Sequence, residues 1–129
     1  RPGKPLIFGQ IHGKPMLGLP GNPVSAGVTA SLFLVPAIHK MLGLKSGTYK
    51  TEIAKLSCKV DKNDDRQDYL RAKITTKTSG EIIVTPFKKQ DSSMITNFSQ
   101  SDCLIARKPH DISKNEGDKV DILKYPNNI

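Results

Sequence analysis

The hydrophobic period changes once along this 129-residue chain, and that change limits what it can fold into. Val24, Val28, Leu32, Val35 and Leu42 recur at helical spacing, whereas beyond Lys45-Ser46-Gly47 the period is two. Ala54, Leu56, Cys58 and Val60 alternate with polar partners, as do Leu70, Ala72 and Ile74, and then Val120 and Ile122. Asn63-Asp64-Asp65, Thr78-Ser79-Gly80 and Asn115-Glu116-Gly117-Asp118 read as turns between these runs. Residues 47–125 are therefore expected to form a small antiparallel β-barrel or sandwich of about five to seven strands. The last four residues read as a disordered tail.

Ahead of the change, Pro5–Ile11 and Pro15–Leu19 are short apolar runs with a turn at Gly13-Lys14. Neither alternates, a pattern expected of strands covered on both faces. Asn22 is placed to cap the following helix, Pro23 suits its first turn, and Gly43 is a C-terminal stop. Pro36 falls inside the helical pattern and is expected to kink or split it. Strand, turn, strand, loop and helix together read as a piece of a three-layer α/β domain. The expected division is an α/β part over residues 1–46 and a barrel over residues 47–129.

Charge is as uneven as period. All 12 acidic residues fall from Glu52 onward, while residues 1–51 carry Arg1, Lys4, Lys14, Lys40, Lys45 and Lys50 within a net charge of +8. A carboxylate-free basic segment suits an anionic ligand, because nothing nearby repels it, but charge by itself is equally what keeps a protein soluble. Apolar residues at 36% and no Trp exclude a large core, and no uninterrupted apolar run reaches the roughly 18 residues of a membrane span. The chain begins at Arg1 with no signal-peptide pattern, which reads as a fragment. Cys58 and Cys103 form no Cys-x-x-Cys and have no His at ligand spacing, so both are expected to be buried, reduced thiols of a cytoplasmic protein rather than zinc ligands. Aromatics at 5% do not interleave with Lys and Arg, so nucleic-acid binding has only the charge in its favour.

The segment Gly18-Leu19-Pro20-Gly21-Asn22-Pro23-Val24-Ser25-Ala26 turns a strand into a helix through small residues. Free N–H groups at that helix start would form an anion site, with Gly21 allowing close approach and the Ser25 hydroxyl adding a donor. Arg1-Pro2-Gly3-Lys4-Pro5 places two cations on a proline-stiffened loop, which lowers the cost of ordering them around a charge.

Arg1-Pro2-Gly3-Lys4-Pro5-Leu6 with Phe8-Gly9, followed by Gly18-Leu19-Pro20-Gly21-Asn22-Pro23-Val24-Ser25-Ala26, closely resembles the molybdopterin molybdenumtransferase family, the MoeA and gephyrin E-domain type. Tyr69-Leu70-Arg71, Gln90-Asp91-Ser92, Cys103-Leu104-Ile105-Ala106 and Glu116-Gly117-Asp118-Lys119-Val120 resemble later family segments. The resemblance implies an α+β chain: the C-terminal piece of a three-layer α/β/α molybdopterin-binding domain, then a small all-β barrel of β-clip type. It implies insertion of molybdate into adenylylated molybdopterin with release of AMP and use of Mg2+, in a homodimeric cytoplasmic enzyme acting on neither nucleic acid nor membrane. Carried over by motif, Lys4, Ser25, Arg71 and Ser92 would be catalytic around the oxyanion, joined by Arg1 and Pro5. Gly21 and Asn22 would lie at the phosphate-bearing end of the pterin. No metal ligand is expected in this chain; the acidic residues that hold the metal are expected upstream of Arg1. The family's Thr-Gly-His/Asn ahead of Gln is replaced by Phe87-Lys88-Lys89. Gephyrin-like relatives imply an alternative, a non-catalytic interaction module that anchors a protein partner.

Overall fold

The computed structural model describes residues 6–44, 50–90 and 95–125. The expected boundary at Lys45–Gly47, the tail over residues 126–129, and the candidate residues Arg1, Lys4, Pro5 and Ser92 lie outside them. The chain divides into two compact units, Pro2–Tyr49 with Ser92–Ile95, and Lys50–Asp91 with Thr96–Ile129.

In the first unit, β1 (Ile7–Ile11) and β2 (Lys14–Gly18) form an antiparallel hairpin whose register closes at Ile11 opposite Lys14. Its two-residue loop is His12-Gly13, not Gly13-Lys14. Both loop residues have positive φ, 50° and 74°, the combination that matches the right-handed twist of a hairpin. The expectation of strands covered on both faces is corrected: Ile7, Phe8 and Ile11 are exposed, Phe8 at 76%. These residues line a two-stranded ribbon, and its neighbours within the unit do not cover them.

The helical stretch begins as predicted. Asn22 caps α1 (Pro23–Thr29), its Oδ1 accepting from the N–H groups of Val24 at 3.0 Å and Ser25 at 3.2 Å. Val24 and Val28 are buried, while Leu42, the last residue of the predicted stripe, is exposed. A π-helical segment, Ala30–Leu34, leads into α2 (Val35–Met41), with the Val35 N–H reaching the Ala30 carbonyl. This wider turn comes just before Pro36, whose ring would clash with the carbonyl four residues earlier in a regular α-helix. Gly43, at φ 70°, ends the helix in a Schellman arrangement: Leu44 N–H donates to His39 and Gly43 N–H to Lys40. Counting uninterrupted apolar runs missed one property of this element. The helical stretch Pro23–Met41 is long and apolar enough, by length and composition, to cross a bilayer. It nevertheless carries Ser25, Thr29, Ser31, His39 and Lys40, and the Thr29 and Ser31 hydroxyls turn inward onto backbone carbonyls.

The second unit is a closed barrel of β3 (Glu52–Leu56), β4 (Asp68–Thr76), β5 (Ile82–Pro86), β6 (Cys103–Arg107) and β7 (Lys119–Lys124), in the order β3-β5-β4-β6-β7. It is mixed rather than antiparallel throughout. Five strands cannot alternate direction around a closed ring, so one neighbouring pair must run parallel, and here it is β3 with β5. Its interior holds Ala54, Leu56, Val60, Ala72, Val84, Cys103, Ile105, Val120 and Ile122. The predicted alternation is thus met except at Cys58, which is exposed because β3 has already ended at Leu56. The pattern gave no sign of α3 (Ile95–Ser99), a short helix between β5 and β6.

Arg107, at the end of β6, is 2% exposed, and its guanidinium is bound by Asp111 and by the carbonyls of Asp61 and Ile112. Asn63 joins the same loops, donating from Nδ2 to the Arg66 and Lys108 carbonyls. This polar knot holds the long loops on either side of the barrel strands.

Candidate functional site

The loop from Leu19 into α1 positions Gly21, Asn22 and Ser25 together. The N–H groups expected to be free there are not free. Pro23 has none, Val24 and Ser25 donate to Asn22 Oδ1, and Ala26 donates to the Asn22 carbonyl at 2.8 Å. Asn22 thus acts as a cap that takes up the first N–H groups of the helix. A Cβ added at Gly21 would meet nothing within 4 Å, and Ser25 is half-buried.

Arg71 lies on β4, in the second unit. Leu70, Ala72 and Ile74 take the barrel side of β4, so Arg71 falls on the other side, and it is nevertheless only 4% exposed. The row Arg71, Leu104 and Leu123, in register across β4, β6 and β7, lies outside the core cluster and is buried throughout. Burying a guanidinium is costly unless anionic or hydrogen-bonding groups surround it.

The backbone of Arg71 has an unusual neighbour. The β4–β5 ladder ends at Ala72 opposite Pro86. One residue further, Phe87 N–H still donates to the Arg71 carbonyl at 3.1 Å. The return bond is relayed through a side chain: Arg71 N–H donates to Gln90 Oε1 at 2.9 Å, and Gln90 Nε2 donates to the Phe87 carbonyl at 2.9 Å and to the Arg71 carbonyl at 3.0 Å. On the opposite edge of β4, the Asp102 carboxylate accepts from Ile74 N–H at 2.9 Å, beyond the end of the β4–β6 ladder. Sequence reasoning passed over Gln90 as a site residue. Its position two residues before Ser92 in the matched Gln-x-Ser segment was the available signal.

Other chemistry in the barrel is limited. Burial pushes the Cys103 thiol up to about 12, so it is no nucleophile. Hydrogen bonds from Lys55 and Lys77 hold Glu81 below the usual carboxylate range, on the exposed β4–β5 turn. A hollow of about 350 Å3 beside Gln90 is lined by Lys59, Lys62, Lys88 and Arg107 together with Asp61 and Asp68. An interaction module would need exposed apolar residues: Phe98 packs edge-to-face on Tyr125 at 5.7 Å, Pro36 is half-buried and Phe8 is exposed. Among the described residues, no three His, Cys, Asp or Glu side chains come together as a metal site.

A small closed barrel carrying a buried, backbone-anchored arginine, joined to a strand–loop–helix unit, has a known counterpart. The family model of the MoeA C-terminal region (domain IV) matches residues 53–125, and the chain belongs to that family. It is 33% identical over 128 residues to the molybdopterin molybdenumtransferase of Haemophilus influenzae, covering 97% of this chain and 31% of that protein. It is 37% identical over 108 residues to the molybdenum cofactor synthesis protein cinnamon of Drosophila melanogaster, covering 81% of this chain and 18% of that protein. The structure of the molybdopterin biosynthesis MoeA protein from Pyrococcus horikoshii superposes with a TM-score of 0.78 and 31% identity, over 98% of this chain and 30% of that one. A molybdenum cofactor biosynthesis protein from Pyrococcus furiosus superposes with a TM-score of 0.71 and 25% identity, over 97% of this chain and 42% of that one. The chain thus spans less than a third of the length of these two curated relatives.

Proposed function

We propose that this chain is the C-terminal part of a molybdopterin molybdenumtransferase, acting in molybdenum cofactor biosynthesis. The reaction is insertion of molybdate into adenylylated molybdopterin with release of AMP. The observation that carries this reading is Arg71: the family segment Tyr69-Leu70-Arg71 falls on a barrel strand, and its guanidinium is buried off the barrel interior. Molybdate is a tetrahedral dianion, and a desolvated guanidinium with hydroxyl donors is the chemistry that binds one. In this reading Lys4, Ser25, Arg71 and Ser92, with Arg1 and Pro5, surround the oxyanion. Gly21 and Asn22 border the phosphate end of the pterin, with the open face at Gly21 leaving room for it. The donors among the described residues do not fit Mg2+, and in this reading its ligands belong to another part of the protein. The working protein is a cytoplasmic homodimer, and this chain alone is inactive.

The test is molybdate dependence in the complete polypeptide. Charge-assisted bonds to a dianion are each worth about 1.5–3 kcal/mol, so Lys4→Ala is expected to raise the half-saturating molybdate concentration roughly ten- to a hundredfold. Arg71→Ala acts in the same direction. Wild-type molybdate dependence in both variants would refute the assignment, and turnover by the isolated 129 residues would refute the inactivity.

A further inference from the structure

We propose that Gln90 is a positioning residue for Arg71, fixing the backbone from which its guanidinium emerges toward the oxyanion. The inference rests on the proposed role of Arg71 and deepens it. A carboxamide carries one acceptor and two donors in the same plane, so it can take the place of a peptide group in a ladder. Gln90 does so at the point where β5 parts from β4. Its Oε1 takes the Arg71 N–H and its Nε2 serves both the Phe87 and Arg71 carbonyls. The inserted amide widens the rung, leaving the chain after Phe87 attached to Arg71 but no longer running beside it. Backbone fixed at residue 71 sets where the guanidinium emerges, because a long side chain can reach only the rotamers its Cα position allows. One side chain therefore sets where the Arg71 cation is presented to its ligand.

Shape alone would not require glutamine here. Glutamate would keep the acceptor for Arg71 N–H but turn a second oxygen toward the Phe87 and Arg71 carbonyls, and alanine would leave the rung empty. The chemistry therefore predicts different behaviour for substitutions of similar size.

The experiment compares Gln90→Ala, Gln90→Glu, Arg71→Ala and the Gln90→Ala/Arg71→Ala double variant in the complete polypeptide. Two quantities are read: hydrogen exchange at the Arg71 amide, and molybdate dependence of turnover. Gln90→Ala is expected to speed exchange at Arg71 about tenfold, the equivalent of about 1.4 kcal/mol, with the Ile74 amide on the Asp102 edge unchanged. It is expected to raise half-saturating molybdate about tenfold with maximal rate little changed, and to add nothing in the Arg71→Ala background. Gln90→Glu should match Gln90→Ala at neutral pH and recover as the pH falls and its carboxyl regains a proton to donate. Because it keeps the side-chain volume, it also serves if Gln90→Ala folds poorly. Wild-type molybdate dependence in the Gln90 variants beside a large shift in Arg71→Ala would overturn this inference while leaving the proposed function standing. Additive effects in the double variant would also overturn it, since Gln90 would then act independently of Arg71. No shift in any variant would overturn both.

Discussion

Asp111→Ala is expected to be among the most damaging single changes in the barrel, although Asp111 lies in a loop. It removes the carboxylate that binds the Arg107 guanidinium, which is 2% exposed and also bound to the carbonyls of Asp61 and Ile112. Breaking a buried ion pair by deleting one partner costs about 3–5 kcal/mol, because the other charge stays behind uncompensated. Two carbonyls still solvate Arg107 here, and the backbone bonds of residue 111 to Asn63 and Lys108 survive the substitution, so the low end, about 3 kcal/mol, applies. Lys114, 3.9 Å from Asp111, adds a like charge that the carboxylate no longer screens. For a unit of this size, about 3 kcal/mol lowers the melting temperature by roughly 15 °C. Urea and thermal unfolding of the 129-residue chain followed by circular dichroism would measure it, with Glu81→Gln as the control. Glu81 also bridges two cations, Lys55 and Lys77, but on the surface, and its removal should be barely visible. Repeating Asp111→Ala in an Arg107→Met background should cost under about 1 kcal/mol. A loss below about 1 kcal/mol for Asp111→Ala alone would refute the argument, placing the pair with ordinary surface ion pairs.

Three more outcomes are expected. In the folded chain a thiol reagent should modify Cys58 and spare Cys103 until denaturant is added. The Cys103 thiol titrates at about 12 when folded against 9.0 for an ordinary cysteine, so the stability it supports is whole below pH 9 and declines as pH rises from there toward 12. His12→Asn, placing the residue most tolerant of left-handed backbone after glycine at φ 50°, should stabilise the hairpin by about 0.5 kcal/mol, read as slower amide exchange across β1 and β2. Deleting residues 1–46 should leave a cooperative unfolding transition and dispersed amide resonances, and their loss would show that the barrel needs the first segment.

What could be read from the sequence was what nearby residues decide among themselves. Asn22 caps its helix and Gly43 ends it because the groups they satisfy are a few residues away. Alternation found the inward faces of β3, β4 and β7 because a period of two is a local property. Contacts set by closure were not legible. The parallel pairing of β3 with β5 is imposed by the ring, and Cys58 falls out of phase because the strand stops before reaching it. Arg71 shows the same limit for the site: its direction was readable, while its burial depends on a covered outer row that spans three strands. Gln90 was overlooked because it acts as a stand-in for backbone, and no hydrophobic pattern records that role.

β3 and β5 share two register pairs, Lys55 with Ile83 and Leu56 with Val84, reinforced by Ser57 N–H on the Val84 carbonyl and Ser57 Oγ on Thr85 Oγ1 at 2.7 Å. Were that join to part, the ring would unroll into a sheet with β3 at one margin and β5 at the other, each presenting bare peptide groups to any passing chain. Two strands that now satisfy each other would become templates for polymerisation. Solubility of the whole domain therefore hangs on its shortest pairing, and a single hydroxyl on Ser57 helps to hold the hoop shut.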